Sequence, residues 1–186
     1  IIIAGDDIFE WFPMGTYNAV ENEFCVFYRI SGFLDAQQQE AWMSGLNGRR
    51  ISHNGDVLGE PIATLTQPGT GLQAWVKPAH NPYRNEYMVS FVQSQDATGW
   101  DLFAAILDAR GTNLSGTITI SAIAAQAQHP VIIFNPLRKV YFISWDDNRS
   151  GDRTVYGIML QADGTVDTPE FIICDAPGDQ IFTDMA

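Results

Sequence analysis

The chain has few cysteines, few basic residues and no long apolar run. Its 186 residues include 2 Cys, 3 His and 10 Lys or Arg against 22 Asp or Glu, which gives a formal net charge of −12. A phosphate backbone needs a basic surface, so this charge speaks against a nucleic-acid partner. No apolar stretch approaches the length of a membrane-spanning helix, so we expect no such span.

The sequence also lacks the short motifs of common enzyme classes. It has no Gly-x-Ser-x-Gly elbow, no phosphate-binding glycine loop and no paired-cysteine metal site. The three histidines, His53, His80 and His129, lie in unrelated turns without the spacing of metal ligands. Cys25 and Cys174 fall in strands of different repeats, and we interpret them as two buried thiols that do not settle the redox compartment.

What the chain does contain is a repeat of short strands joined by turns. In the last copy we predict strands at 131–134, 140–145, 155–160 and 171–174, because these segments are apolar, β-branched or alternating. Asn135-Pro136 predicts the first turn, and the polar residues 146–153 predict the second. Residues 162–164 predict the third turn, which ends in a glycine.

Landmark residues recur in the same order along the chain. An Asn is followed six positions later by one aromatic residue and four positions after that by another. A turn glycine then precedes, by seven positions, an apolar residue that we predict opens the last strand. The Asn landmarks are 63 and 54 residues apart, a period typical of a four-stranded propeller blade. The sets are Asn18, Phe24, Tyr28, Gly55, Ile62; Asn81, Tyr87, Phe91, Gly111, Ile118; and Asn135, Tyr141, Trp145, Gly164, Phe171.

We therefore predict an all-β protein with three four-stranded antiparallel propeller blades, at 11–65, 73–121 and 127–175. Residues 1–4 align with the outer strand of a preceding blade, and 181–186 with the inner strand of a following one. Propellers close with about four to eight blades. We thus expect this segment to be part of a larger propeller, with further blades in the same chain or in neighbouring chains.

The third repeat carries a more specific pattern. It reads WDDNR at 145–149, VYG at 155–157, then Leu160 and the turn glycine Gly164. This pattern resembles the β-propeller repeats of secreted and cell-surface bacterial proteins, in which an aromatic residue, Asp and Arg precede "IYG", a leucine and a glycine turn. The second repeat lacks the Asp and the Arg, and in the first repeat the turn is rebuilt. The resemblance implies an extracellular or cell-surface location and no single activity, because propellers host many functions.

In such a propeller the links between blades and the loops between second and third strands share one face, which we predict to be acidic. An acidic face attracts cations or a basic partner, although Asp is also common in turns for its backbone hydrogen bonds. The face would hold only two of the 10 basic residues, Arg149 and Arg153. It would hold 12 of the 22 acidic residues: Asp6, Asp7, Glu10, Asp35, Glu40, Asp96, Asp101, Asp146, Asp147, Asp152, Asp175 and Asp179.

Aromatic residues near this face are candidates for sugar contact. Trp42 and Trp100 begin third strands, where a flat ring is suited to stacking on a sugar, while Trp11 and Trp75 begin inner strands. For most of these rings, packing between the blades is the alternative that we favour. The predicted ligand-binding residues are Trp42, Trp100, Asp96, Asp146, Asp147 and Arg149.

A calcium ion is a second candidate ligand. Asp146, Asp147, Asn148 and Asp152 offer the hard oxygen atoms that Ca²⁺ prefers, although their spacing is not that of an EF-hand. As an alternative, Asp146 and Arg149 pair within the turn and fix its shape.

The functional prediction is a non-catalytic extracellular module that binds a protein or glycan partner or has a structural role. One alternative is a carbohydrate-active hydrolase whose catalytic residues lie partly outside this segment. Such an enzyme needs two carboxylates about 5 to 10 Å apart, and the sequence singles out no pair. Another alternative is an assembly subunit of a ring or filament.

Overall fold

The computed structural model describes residues 9–33, 42–63, 73–96, 99–123, 125–181 and 184–185. In these ranges the strands form three four-stranded antiparallel sheets, each in chain order. The first sheet contains β1 (Phe9–Asn18), β2 (Glu23–Phe33), β3 (Trp42–Ser52) and β4 (Val57–Ala63). The second contains β5 (Gln73–Asn81), β6 (Glu86–Asp96), β7 (Gly99–Asp108) and β8 (Ile118–Ser121). The third contains β9 (Gln128–Asn135), β10 (Val140–Ser150), β11 (Asp152–Gln161) and β12 (Val166–Cys174).

This architecture confirms the all-β class and the three antiparallel blades. The sheets span 9–63, 73–121 and 128–174, within two residues of the predicted repeats. The strand predicted at 1–4 lies outside the described residues. Of 181–186, Ile181, Asp184 and Met185 are described and do not belong to a strand. In the described part of the chain, no helix is long and apolar enough to cross a membrane.

The sheets stack face to face, with the second sheet in the middle. Its strand β5 lies beside both β1 and β9, so the first strands of the three sheets surround a common axis. Tyr87 and Phe91 on one face of β6 pack against Phe27 of the first sheet. Met88 on the opposite face packs against Ile143 of the third sheet. Because both faces are buried, β6 is apolar at consecutive positions rather than alternating.

The recurring asparagines end the first strand of each sheet and shape the turn that follows. The Oδ1 atoms of Asn18 and Asn135 each accept hydrogen bonds from the backbone N–H groups two and three residues later, at 2.9 to 3.0 Å. Asn81 accepts one such bond, from the N–H of Tyr83 at 3.0 Å. These side chains replace a backbone acceptor in the turn, which explains why Asn recurs at this position.

The recurring glycines contact the neighbouring sheet. Gly111 has a φ of +87°, and a Cβ there would lie 1.9 Å from Cγ2 of Ile62 in the first sheet. Gly164 repeats this arrangement, with a hypothetical Cβ 2.5 Å from Cδ1 of Ile118 in the second sheet. The glycine of one repeat therefore packs on the apolar landmark of the preceding repeat.

The start of the fourth strand was predicted correctly only in the second repeat. Ile118 opens β8, but β4 begins at Val57 and β12 at Val166, well before Ile62 and Phe171. All three sheets share the same tight turn, in which Gly55 N donates to Ser52 O, Gly111 N to Asp108 O and Gly164 N to Gln161 O. In the second sheet the pairing that resumes is a single bridge, between Leu107 and Asn113, and the strand itself starts only at Ile118.

The polar turn predicted at 146–153 is wrong. Strand β10 continues to Ser150 and β11 begins at Asp152, with Asp146 paired to Val155 and Asp147 to Thr154. Only Gly151, with a φ of +106°, lies between the strands. Buried carboxylates would normally end a strand, but here basic side chains neutralise them, so the sheet continues through a polar sequence.

The cysteine prediction is confirmed for one residue only. Both thiols are free, and Cys25 is fully buried between the first and second sheets. Cys174 lies in β12, the last strand of the third sheet, and is only half-buried. The two residues belong to non-neighbouring sheets, as the repeat pattern predicted.

Candidate functional site

The first strand of each sheet contains a bulge near its beginning. Strand pairing shifts between Trp11 and Met14 in β1 and between Ala74 and Lys77 in β5, and the pairing of β9 with β10 shifts likewise. One bulky residue in each bulge has a left-handed backbone: Phe12 (φ +53°), Trp75 (φ +48°) and His129 (φ +49°). This conformation costs roughly 1 to 2 kcal/mol for each residue that is not glycine. The three residues occupy the same position of the three repeats.

The rings of these residues meet in a row across the three sheets, which we call the ring strip. The centroids of Phe12 and Trp75 are 6.5 Å apart with their planes tilted by 33°. The centroids of Trp75 and His129 are 5.2 Å apart, in an edge-to-face arrangement. Phe12 is 44% exposed, whereas the rings of Trp75 and His129 are partly buried. Bulges commonly re-aim side chains beside functional sites, and here they form one aromatic surface near the axis.

Trp100, a predicted sugar contact, supports the ring strip. Its ring lies 5.6 Å from that of Trp75 in an edge-to-face arrangement, and both rings pack on the core between the second and third sheets. The other predicted aromatic contact, Trp42, begins β3, but its side chain is not among those described. The same holds for Asp96 in β6 and for Trp11 in β1.

His129 at one end of the strip is bound to a fully buried carboxylate. Its Nδ1 lies 2.8 Å from Oδ1 of Asp146, whose Oδ2 accepts a hydrogen bond from Nε of Arg153 at 2.7 Å. Arg153 also donates to the backbone carbonyl of Gln126 and to the side chain of Gln128. Asp146 is thus charge-paired, which offsets the cost of its complete burial.

Asp147 is the centre of a second buried network, on the opposite face of β10. Its carboxylate accepts hydrogen bonds from Nε1 of Trp145 at 3.0 Å and from Nε of Arg149 at 2.9 Å. Arg149 also pairs with Glu170 and lies 3.9 Å over the Tyr156 ring. Burial acts against the charge of Arg149, but hydrogen bonds to Asp147 and Glu170 outweigh it and raise its pKa. Its guanidinium also reaches Oγ of Ser121 in the second sheet, at 3.3 Å.

The alternative to calcium, a pair between Asp146 and Arg149, is therefore wrong, because Arg149 pairs with Asp147. Successive residues of a strand point to opposite faces, so Asp146 and Asp147 cannot share one cation. The partner of Asp146 is Arg153, four residues beyond Arg149.

The four predicted calcium ligands are not gathered around one point. Asp146 and Asp147 lie on opposite faces of the third sheet. Asn148 accepts a hydrogen bond from the backbone N–H of Gln126, and Asp152 accepts one from that of Gly178. Within the described residues, no group of three or more His, Cys, Asp or Glu is arranged to hold a metal ion. Calcium binding stays a prediction, and it would require these side chains to exchange their present partners.

The ring strip was missed in the sequence, where His129 was assigned to a turn. Packing between the blades, which we favoured for most of the tryptophans, does occur for Trp75, but its contacts with Phe12 and His129 were not predicted. A signal for it exists in the repeat alignment. Phe12-Pro13 and His129-Pro130 are matching dipeptides, and Trp75-Val76 occupies the same position in the second repeat. A proline in an inner strand is typical of a bulge, so an aromatic residue before it marks the position.

A cavity of about 320 Å³ lies at the opposite end of the axial strands. Tyr17, His80 and Phe134, each directly before a landmark asparagine, contribute rings to its wall. Burial lowers the pKa of His80, and its hydrogen bond with Asn85 acts in the opposite direction. A buried ion pair also lies near this end: Arg50 pairs with Glu23 at 2.6 Å, and both charges act on Tyr87, whose ring centroid is 5.2 Å from that of His80.

Comparison with known proteins supports the fold. No family model matches the chain, and no curated protein is significantly similar to it in sequence. Its structure is similar to that of a GH43 endo-arabinanase from Bacillus licheniformis, with a TM-score of 0.55 and 13% sequence identity. The match covers 95% of this chain and 64% of that one, so the chain spans less than two thirds of its structural neighbour. Together with the three sheets around one axis, this similarity defines the chain as a β-propeller. At this level of identity it defines the fold alone.

Proposed function

We propose that this chain is a non-catalytic binding propeller that takes its ligand at the ring strip. The observation that carries the proposal is the left-handed bulge residue repeated in all three sheets. Three such residues cost about 3 to 6 kcal/mol together. Strained backbone of this kind persists where surrounding structure enforces it and is concentrated at functional sites. The same strain recurs in all three repeats, each time at a residue with a ring. This recurrence favours a binding surface that the three repeats share.

The charged groups beside the strip are suited to support rather than catalysis. Asp146 and Asp147 are fully buried, and each is paired with an arginine at 2.5 to 2.7 Å. A hydrolase of the two-carboxylate type needs one acid that gives and takes a proton and another that attacks or activates water. Both carboxylates are instead held by arginine side chains away from solvent, so neither is exposed to a ligand or to an attacking water molecule.

The axial strands themselves offer few acids. In β1, β5 and β9, which surround the axis, the sequence has one acidic residue, Glu10. The hydrolase alternative is supported by the GH43 endo-arabinanase neighbour. We rank it second because its catalytic pair would have to include residues outside these three strands.

The setting of the module is part of the proposal. The resemblance of residues 145–164 to repeats of secreted bacterial propellers favours an extracellular or cell-surface location. The acidic composition favours a basic or neutral partner over an anionic one.

The proposal is tested by measuring binding and turnover in parallel. Purified protein is applied to an array of glycans and of bacterial surface proteins, and the same glycans are assayed for released reducing ends. We expect binding without turnover, and we expect Trp75→Phe to weaken it while Tyr83→Phe, at the other end of the sheets, does not. Release of reducing ends that survives repurification would overturn the non-catalytic assignment.

A further inference from the structure

We infer that the ligand of the ring strip is a neutral saccharide that stacks across Phe12 and Trp75. This inference rests on the proposed function and names the chemical class of its ligand. Three features of the strip carry it: the arrangement of the rings, the compensation of charge around them, and the polar groups at one end.

The rings form a fixed apolar surface that extends across two sheets. The planes of Phe12 and Trp75 are only 33° apart, so the two rings present neighbouring surfaces of similar orientation. Edge-to-face contacts with Trp100 and His129 fix the orientation of Trp75, at interplanar angles of 67° and 66°. A preorganised aromatic surface suits a ligand with a flat apolar face, because little side-chain entropy is lost on binding.

The charges near the strip select against ionic ligands. Asp146 is paired with both His129 and Arg153, and Asp147 with Arg149, so these buried carboxylates do not offer an uncompensated charge to a cation. The whole chain carries −12, which disfavours sulfated, phosphorylated or uronic saccharides through long-range repulsion. A neutral ligand needs no uncompensated carboxylate, as a cation would, and is not repelled by the net negative charge, as an anion would be.

Polar groups lie at the His129 end of the strip. Gln128 and Arg153 bind each other there, and Arg153 also binds Asp146. Small-molecule sites combine an apolar wall with a few fixed polar groups that orient the ligand. A saccharide has both an apolar ring face and hydroxyl groups at its rim, so it matches rings at one end and hydrogen-bonding side chains at the other.

The test uses neutral gluco-, galacto-, manno-, xylo- and arabino-oligosaccharides, with uronic and sulfated oligosaccharides as charged counterparts, in titration calorimetry. The main variant is Phe12→Ala, because Phe12 is exposed and its removal leaves the cores between the sheets intact. Tyr83→Ala is the matched control, since Tyr83 is also an exposed ring (58%) but lies in the turn between β5 and β6. Circular dichroism verifies that both variants fold.

We expect one neutral series to bind, its charged counterparts to bind more weakly, and Phe12→Ala to weaken binding at least about tenfold. Tyr83→Ala should change affinity less than about twofold. The inference is overturned if none of the neutral series binds, if charged forms bind better, or if Phe12→Ala binds like the parent protein. Binding of a protein partner that Phe12→Ala weakens would overturn the saccharide but keep the proposed function. Turnover of a bound saccharide would overturn the proposed function itself.

Discussion

The interface between the first and second sheets and the interface between the second and third use the same repeat positions, but different hydrogen bonds stabilise them. Between the first and second sheets, Nδ2 of Asn18 donates to the Tyr87 hydroxyl and to Oδ1 of Asn85, both at 2.9 Å. Between the second and third sheets the matching Asn81 lies beside Tyr141, but this buried hydroxyl lacks a hydrogen bond of normal geometry among the described residues. The tyrosine landmark is retained, and Asn81 interacts with its hydroxyl without the geometry of the bond between Asn18 and Tyr87.

In the second interface the hydrogen bonds between sheets lie instead near the bulges. Arg149 reaches Ser121, and both Asn148 and Arg153 hydrogen-bond the backbone of Gln126, in the link between the second and third sheets. Asn148 and Arg149 belong to the motif that singled out the third repeat. The motif therefore joins neighbouring blades and holds the sheets beside the ring strip, while ligand contact by Asp146, Asp147 and Arg149 stays a prediction.

The largest expected effect is the loss of the buried carboxylate of this second interface. Asp147→Asn keeps the shape but leaves Arg149 without its buried partner, so we expect the free energy of unfolding to fall by about 3 kcal/mol. Urea unfolding followed by circular dichroism measures the change. The control is Asp167→Asn, whose partner Arg138 is 54% exposed, and which should cost less than about 1 kcal/mol. Equal effects of the two variants would mean that burial does not distinguish these pairs.

Glycine landmarks allow the same comparison through packing. Gly111→Ala would place a methyl group 1.9 Å from Ile62 in the first interface, so we expect a loss of about 2 to 3 kcal/mol. Gly164→Ala in the second should cost less, because the atom that it meets, Cδ1 of Ile118, is 2.5 Å away at the end of a flexible side chain.

Gly178→Ala is the matched control for these variants. It has nearly the same φ, +86°, with open space around it, and should cost only the backbone strain of about 1 kcal/mol. Thermal and urea unfolding of the three variants provide the order. If Gly178→Ala were as costly as Gly111→Ala, strain rather than contact between the sheets would explain the conserved spacing of the repeat.

Alkaline pH should weaken the first interface. Burial, followed by the charge of Glu23, raises the pKa of Cys25 to about 12 from an ordinary value of 9.0. Above pH 9 the unfolded chain therefore releases this proton while the folded chain retains it, and stability falls as the pH rises towards 12. We expect a loss of about 1 kcal/mol by pH 10 from this group. Urea midpoints at pH 8, 9 and 10 measure it, and Cys25→Ala should flatten the decline; an unchanged slope would contradict the assignment.

The fold was predictable because it depends on spacing. Asn18, Asn81 and Asn135 mark turns through their own side chains. Gly111 and Gly164 mark positions where no Cβ fits, so both kinds of landmark are visible in a single sequence. The end of β10 was not predictable, since Asp146 and Asp147 indicate a turn unless their arginine partners are known. Those partners are set by tertiary packing: Arg153 lies across the hairpin on one face, and Arg149 reaches Glu170 on the other.

The candidate site was predictable only in part. Trp100 was correctly identified as an aromatic residue near the end of the sheets where the ring strip lies. The strip itself depends on bulges in three strands that are far apart in sequence. A left-handed Phe or Trp is not a local preference and arises only where the sheet enforces it. Such a residue is therefore visible in the structure before it is visible in the sequence.

The smallest expected effect separates the two tyrosines. Tyr87→Phe removes the hydroxyl that accepts a hydrogen bond from Asn18, which keeps its other acceptor, Asn85; we expect a loss of roughly 0.5 to 1 kcal/mol. Tyr141→Phe removes a buried hydroxyl without such a bond, so stability should stay the same or rise slightly. Urea unfolding of both variants, with Tyr83→Phe as an exposed reference, makes the comparison. If Tyr141→Phe lowered the free energy of unfolding as much as Tyr87→Phe, Asn81 would bind the Tyr141 hydroxyl as Asn18 binds that of Tyr87. The two interfaces would then contain the same hydrogen bond.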